Sequence, residues 1–295
     1  MKLIILLQFL LVSYAYSTVC PCGAPPECGS SRPPNCRDKG VDTPLDPFFA
    51  NMSVQKRAPK AFALSDESRE FILITKKQIL IDGSQFLSHL NRDKALQSKV
   101  QRYDSFSLED QIKVLREVFS LQVKSLGIKA PKLVIDTNYS RAAFFKFNIE
   151  DDSNGTVYIN PKKTYEENRM TSLSLLLHET KHAAQLSLAK NKSTSIQGAH
   201  FRAAFVAQKK LLNSLNFSDF LTLNNEYEAF SYANYIIYKL YNGKFDMIDM
   251  GTFASQFDQA GHLKIDLERL HYTPSNNIYE DFNTLMKEQK SLLGL

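Results

Sequence analysis

The sequence predicts an α+β domain that is mostly helical and carries one small antiparallel sheet. Two observations support this fold class. Long segments in both halves of the chain repeat apolar residues at helical spacing. Between them, near residues 133–160, short runs rich in β-branched and aromatic residues are separated by turn sequences. Helices, then strands, then helices again favour segregated secondary structure within one domain.

The first 59 residues differ in composition from the rest of the chain. Residues 1–17 carry Lys2, an apolar run and small residues before Thr18, a pattern typical of a cleaved signal peptide. Residues 18–59 contain eight of the eleven prolines and all four cysteines, Cys20, Cys22, Cys28 and Cys36. In an exported chain we expect two disulfides in a small loop-rich segment, followed by a linker; a zinc-binding cysteine cluster is the alternative. The sequence therefore predicts a secreted protein whose main domain spans residues 60–295.

Several asparagines fit the acceptor pattern for N-linked carbohydrate. The N-x-[ST] triplets begin at Asn51, Asn138, Asn154, Asn191 and Asn216. Each lies where the sequence predicts a loop or linker, as a glycosylated surface requires. We therefore expect a glycoprotein of the secretory pathway.

The helices before the sheet follow from apolar periodicity and capping residues. Residues 65–97 are expected to form one or two helices. Ser107 is a suitable N-cap for the next helix, since acidic residues follow it in the first turn. Gly127 is suited to end the same helix, because glycine adopts the left-handed conformation found at helix C-termini.

The strands and the later helices are predicted in the same way. Three strands are expected, at residues 133–136, 142–149 and 156–160. The turn sequence at residues 152–155 reverses the chain into the last strand, and Pro161 ends it. Four helices are then expected, at residues 172–188, 199–215, 224–240 and 278–292.

The helix predicted at residues 172–188 contains the motif His178-Glu179-Thr180-Lys181-His182. Residues four apart share a helix face, so His178 and His182 can offer both imidazoles to one Zn²⁺ ion. Glu179 is turned about 100° away, beside the ion, where a carboxylate can take a proton from a metal-bound water. Lys181 is expected to point away from the histidine face. Gln185, one turn after His182, is expected to lie close to the ligands.

A catalytic zinc site needs a third protein ligand, and the best candidates are two carboxylates on the helix at residues 224–240. Glu226 lies within the apolar stripe of that helix, where a lone carboxylate is costly unless a cation receives it. Glu228 lies on the opposite side, about 160° away, so a straight helix aims only one of them at the ion. We expect Glu226 to be the third ligand, with Glu228 as the alternative. His89, His200, His262 and His271 are weaker candidates.

The segments HETKHAAQ and NEYEAFSYA together resemble the gluzincin group of zinc metallopeptidases. The resemblance implies a zincin-like catalytic domain in which His178, His182 and a downstream helical glutamate hold Zn²⁺. Glu226-x-x-Ala229 matches one form of the third-ligand helix, whereas Glu228-Ala-Phe-Ser is similar to the thermolysin form. By analogy, the strand at residues 156–160 is expected to be the sheet edge on which a peptide binds. The resemblance also implies an oxyanion-stabilising side chain, for which Tyr232, Tyr235, His200 and Tyr272 are candidates.

The sequence therefore predicts a secreted zinc metallopeptidase that cleaves peptide bonds, with Glu179 as general base. The alternative is a catalytically inactive secreted binding protein on the same scaffold. A net charge of +5 without a basic block gives no reason to expect a nucleic-acid partner. After the signal peptide, no apolar run approaches the ~20 residues of a membrane span. The sequence does not predict an oligomeric state.

Overall fold

The computed structural model describes residue 46 and residues 48–166, 168–191, 195–243, 265–272 and 276–292. The chain divides into two units, residues 1–47 and residues 48–295. The predicted signal peptide, the four cysteines and His262 lie outside the described residues.

Four of the described α-helices precede the sheet; the first lies in the segment expected to be a linker, and the other three lie close to the predicted positions. They are α1 (Met52–Gln55), α2 (Arg69–Arg92), α3 (Lys94–Gln101) and α4 (Leu108–Leu126). Asp93 separates α2 from α3, and its carboxylate accepts a hydrogen bond from the Leu96 amide at 3.0 Å. The Ser107 hydroxyl caps α4 by accepting from the Asp110 amide at 3.2 Å, and Gly127 ends α4 with a φ of 63°. These capping predictions are therefore confirmed.

The sheet has three strands, β1 (Lys132–Ile135), β2 (Ala143–Lys146) and β3 (Thr156–Ile159), in the order β1-β3-β2. β2 pairs with β3 antiparallel, but β1 pairs with β3 parallel. The sheet is therefore mixed, and the prediction of a purely antiparallel sheet is wrong at the β1–β3 pair. The chain leaves β1, passes to the far side of β3 to form β2, and returns as the central strand. β3 has a neighbour on both sides, so the prediction that it is an edge strand is also wrong.

The remaining described elements are helices. They are α5 (Lys162–Tyr165), α6 (Thr171–Lys190), α7 (Ile196–Leu211), α8 (Phe217–Thr222), α9 (Asn224–Tyr241), α10 (Leu267–Tyr272) and α11 (Ile278–Leu292). α7 begins three residues before the predicted position because Ser195 caps it, accepting from the Gly198 amide at 3.1 Å. The mostly helical α+β architecture is confirmed.

Two helices, α6 and α9, form the centre of the domain. α9 packs against both α6 and α2, and α6 packs against α7 and the sheet. Every residue from Leu221 to Ile237 is buried. Among residues 171–186, every residue except Leu175 is buried. The side of α9 opposite the apolar stripe is therefore covered as well, chiefly by α2. Its polar side chains must find partners inside the protein.

Residues 48–55, which the composition assigned to a linker, belong to the folded unit. The Asn51 amide and the Gln55 side chain donate to the carboxylate of Asp219 at 2.8 and 3.0 Å. The Ala50 amide donates to the side chain of Asn283 at 2.9 Å. Ala50 and Phe48 also pack with the core, but four helical residues are too few to show apolar periodicity in the sequence.

The asparagines of the predicted glycosylation triplets all lie outside helices and strands. Asn51 and Asn216 are N-caps of α1 and α8, whereas Asn138 and Asn191 are exposed. The Asn216 side-chain amide also donates to the Phe49 carbonyl, which limits its access to a modifying enzyme. Glycosylation stays a prediction. Among the described helices, none combines the length and apolar character needed to cross a membrane.

Candidate metal centre

α6 brings the two motif histidines together, as their spacing predicts. The Nε2 atoms of His178 and His182 lie 3.0 Å apart, and their rings meet edge to face at a centroid distance of 4.6 Å. Both side chains are buried. The two nitrogens thus face a common point on the inner side of the helix.

α9 supplies a third atom to the same point. Oε2 of Glu226 lies 3.2 Å from Nε2 of His178 and 3.4 Å from Nε2 of His182. A tetrahedral zinc ion with bonds of about 2.0–2.1 Å holds its ligand atoms about 3.3 Å apart. Among the described residues, no donor forms a hydrogen bond with Glu226 Oε2, which is buried. The three residues form a cluster that could hold a metal ion, and their separations fit zinc.

The charges in the cluster are strongly coupled. Burial alone would raise the pKa of Glu226, but the adjacent imidazoles outweigh it and lower that pKa to about 2. Burial lowers the pKa of His178 to about 4. Burial also acts to lower the pKa of His182, but the Glu226 carboxylate raises it to about 9. The buried carboxylate thus draws one positive charge to the cluster, which is the environment that a metal cation occupies.

Glu179 lies beside the three ligand atoms and is not one of them, as helix geometry predicts. Its side chain is the least enclosed of the group, and the residue is 8% exposed. Burial raises the pKa of Glu179 to about 8, although His182 and the backbone amide of Phe145 oppose the shift. A carboxyl group whose pKa lies near neutrality can both accept and release a proton, as a general base must.

Two glutamines support the ligands from outside the cluster. Oε1 of Gln185 lies 2.7 Å from Nδ1 of His182, which confirms that Gln185 is close to the ligands. Nε2 of Gln208, on α7, donates to Oε1 of Glu226 at 3.0 Å. Nδ1 of His178 has no such contact among the described residues, and the ring of Phe230 packs over His178 at 4.1 Å.

Glu228 is buried, but it faces Lys181 and Gln185 and is not part of the ligand cluster. Its Oε1 lies 3.2 Å from Nζ of Lys181, and its Oε2 accepts from Gln185 at 2.6 Å. Nζ of Lys181 also lies 2.5 Å from the carboxylate of Asp82 on α2. Lys181 points away from the histidine face, as predicted. Its side chain is buried and forms ion pairs with Asp82 and Glu228. The geometry therefore places Glu226, not Glu228, among the ligand atoms.

The remaining candidate residues have other contacts. Three of the other histidines bond to the protein: His89 with Ser125, His200 with the Lys60 carbonyl and His271 with the Ala63 carbonyl. Nζ of Lys181 lies over the ring of Tyr232. The Tyr235 hydroxyl lies 3.3 Å from Oγ of Ser84, and Tyr272 is 60% exposed. These contacts give no support to an oxyanion role for Tyr232, Tyr235, His200 or Tyr272.

Sequence reasoning did not select Tyr139 and Arg141, which interact electrostatically with Glu179. Both lie in the connection between β1 and β2. Their position depends on that connection crossing to the far side of β3, and local sequence patterns do not specify such a crossing. Gln208 was missed for a similar reason, because it reaches the site from a third helix.

No protein-family model matches this chain, and comparisons with curated proteins and with solved structures find no match.

Proposed function

We propose that the protein is a zinc-dependent hydrolase that cleaves peptide bonds. The observation that carries this proposal is a buried triangle of two imidazole nitrogens and one carboxylate oxygen, with sides of 3.0, 3.2 and 3.4 Å. A second carboxylate, Glu179, adjoins the triangle without belonging to it. Three protein ligands with an adjacent acid–base residue form the usual composition of a catalytic zinc site.

The donor set favours zinc over the common oxygen-preferring cations. Imidazole suits zinc and the later transition metals, whereas magnesium and calcium take mostly oxygen ligands. His178, His182 and Glu226 would hold the ion. A bound zinc ion would lower the pKa of a coordinated water and polarise a carbonyl oxygen. Glu179 would accept the proton from that water and deliver it to the leaving amine.

The outer edge of β2, which pairs with no further strand in the part of the chain that the structure describes, supports a peptide as the substrate. Ala142 accepts from the Asn160 amide at 2.8 Å, so the hydrogen-bonded pairs between β2 and β3 fall at positions 142, 144 and 146. The backbone groups of Ala143 and Phe145 therefore face away from β3. The backbone amide of Phe145 forms a hydrogen bond with the Glu179 side chain, so this edge of β2 lies beside the proposed general base. An extended peptide that adds to β2 as a further strand would be carried past Glu179.

Replacement of the proposed base tests the chemistry. Glu179→Gln keeps the size of the side chain and removes its capacity to accept a proton. We expect the variant to retain its zinc, measured by metal analysis, and to lose peptidase activity by ~10²–10⁴-fold. Glu150→Gln, at an exposed site, is the matched control and should change neither quantity. A Glu179→Gln protein as active as the parent would eliminate the proposed mechanism.

A second candidate is a binding protein without catalytic activity, and the burial of the cluster favours it. His178, His182 and Glu226 are only 3%, 4% and 2% exposed, so an ion held by them is well enclosed. The same experiment separates the two functions. A parent protein with stoichiometric zinc that cleaves no member of a diverse peptide library would support the binding protein.

Secretion belongs to the proposal as well. If residues 1–17 are a signal peptide, the mature chain begins near Thr18 and its cysteines are paired. Sequencing of the mature N-terminus and thiol labelling of the unreduced protein measure both. Complete labelling of Cys20, Cys22, Cys28 and Cys36 would contradict the disulfides and the exported location together.

A further inference from the structure

The side-chain amide of Gln185 has a fixed orientation because of its contacts. Its nitrogen donates to the Asn225 carbonyl at 2.8 Å and to Oε2 of Glu228 at 2.6 Å, and both partners only accept. Its oxygen must therefore face Nδ1 of His182, 2.7 Å away. Since a carbonyl oxygen only accepts, Nδ1 of His182 carries hydrogen. Nε2, the atom that faces His178 and Glu226, is then the nitrogen that can bind a metal.

From this chain of contacts we infer that Glu228 is a positioning residue for the metal site, acting on the ligand His182 through the amide of Gln185. The inference rests on the metal site of the proposed function and is independent of which substrate is cleaved. We call Glu228, Gln185 and His182 the amide relay. Glu228 lies about 160° from Glu226 around the axis of α9. It therefore contacts Gln185 and not the three candidate ligand atoms.

A buried cation lies beside the Glu228 carboxylate. Nζ of Lys181 lies 3.2 Å from Glu228 and 2.5 Å from Asp82, and the Lys181 side chain is 4% exposed. An unpaired carboxylate at this depth would be too costly to keep its charge. Asp82 completes the environment of Lys181, and among the described residues it accepts from Lys181 and Gln78 but not from Gln185.

The relay acts on one of the two histidines. Nδ1 of His178 meets no hydrogen-bond partner among the described residues, whereas Nδ1 of His182 is held by Gln185. Outer contacts of this kind fix the orientation of a ligand imidazole and raise its basicity, and their loss typically lowers metal affinity ~10–100-fold. We therefore expect Glu228 to contribute to zinc affinity although it does not touch the ion.

Two matched substitutions test the inference. Glu228→Gln and Asp82→Asn each replace one carboxylate beside Lys181 with an amide and leave the other in place. Both variants therefore keep an ion pair at Lys181 and should fold. In Glu228→Gln, the new amide cannot accept from Lys181 and from Gln185 with separate oxygens. The Lys181 ammonium can only donate, so it takes the single oxygen. The NH₂ group then faces Gln185, which is driven to turn its own nitrogen toward His182.

The measurement is the zinc dissociation constant of the full-length protein, from competition with a chelator of known affinity. Thermal unfolding of the metal-free proteins serves as the stability control. We expect Glu228→Gln to weaken zinc binding ~10–100-fold. Asp82→Asn should stay within about twofold of the parent, because its contacts do not reach the relay.

The outcomes separate the inference from the proposed function. If Glu228→Gln binds zinc as tightly as the parent, or if both variants weaken equally, the relay is wrong and the metal site stands. If the affinity loss simply follows a loss of metal-free stability, Glu228 is only structural. A parent protein that binds no zinc would overturn the metal site, and the relay with it.

Discussion

Glu226 and Glu228 lie two residues apart on α9, and both side chains are only 2% exposed. The protein accommodates these two carboxylates in different ways. Glu228 faces a lysine and an amide, so each of its oxygens has a partner. Glu226 has a donor for one oxygen, while the other points at two imidazole nitrogens. A buried carboxylate requires a cation in either case, but only the second arrangement allows that cation to be an exchangeable metal.

The different surroundings of Glu226 and Glu228 indicate which of the two carboxylates is available to bind a metal ion. A lysine is a permanent partner, and it makes Glu228 part of the scaffold that supports the centre. An oxygen without a donor needs an explanation of its own in a folded protein. For Glu226 Oε2, a metal ion is an explanation that also accounts for the two converging imidazoles.

The largest effect on zinc affinity is expected from replacing Glu226. It tests directly the different roles assigned to Glu226 and Glu228. Glu226→Ala removes one of three ligands, and zinc binding in proteins is worth on the order of 10 kcal/mol of apparent free energy. We expect zinc affinity to fall by more than the ~100-fold reached by changes outside the ligand shell. Thermal unfolding should then be insensitive to chelator, unlike that of the parent. A larger loss in Glu228→Gln than in Glu226→Ala would reverse the roles assigned to the two carboxylates.

The next effect concerns the permanent cation. Lys181→Met leaves the buried Glu228 and the partly buried Asp82 without the Lys181 charge, and breaking a buried ion pair by removing one partner costs about 3–5 kcal/mol. Urea unfolding of the metal-free protein measures this loss. Adding Glu228→Gln to Lys181→Met should recover part of it, since one of the two uncompensated charges is then gone. Equal stabilities of the single and double variants would show that Lys181 does not compensate Glu228.

A smaller effect is expected where α2 approaches α9, on the side that holds Lys181. A Cβ atom at Gly83 would lie 2.5 Å from Cδ1 of Tyr235, so Gly83→Ala forces the Tyr235 ring or the two helices to shift. Alanine gains about 1 kcal/mol in helix propensity, while overpacking costs about 1–3 kcal/mol. We expect a net loss of about 1 kcal/mol in urea unfolding, relieved by a second substitution, Tyr235→Leu. A stabilised Gly83→Ala protein would contradict the close packing of α2 on α9.

The smallest effect is expected from a substitution away from both carboxylates. It shows whether a loss of stability alone changes zinc binding. Ser107→Ala removes the N-cap of α4, far in sequence from both carboxylates, and such losses cost about 1 kcal/mol or less in an exposed cap. Stability should fall slightly, and the zinc dissociation constant should not change. If zinc binding weakens along with stability in this variant, affinity follows general destabilisation and the tests at Glu226 and Glu228 lose their meaning.

Features with a local cause were predictable from the sequence. The cap at Ser107 and the terminal glycine of α4 depend on a few neighbouring residues. The convergence of His178 and His182 follows from the pitch of a single helix. Glu226 was identified because a carboxylate within an apolar stripe stands out against its neighbours.

Features that join distant parts of the chain were not predictable in the same way. The parallel pairing of β1 with β3 depends on the path of the connection between β1 and β2, which no local pattern records. Lys181 was expected to point away from the ligands, but its burial depends on α2 covering the polar side of α9. Tyr139, Arg141 and Gln208 reach the site from other elements, so only the fold reveals their proximity.

The polar attachments of residues 48–55 have a consequence for the order of folding during synthesis. The Ala50 amide bonds to Asn283, 233 residues later in the chain. At ~5–20 residues per second, the partner is made on the order of 10–50 s after Ala50. This contact therefore joins one of the first described segments to be translated with one of the last. A ribosome stalled before residue 283 would present the central helices without this contact, which forms only after nearly all of the described residues have been made.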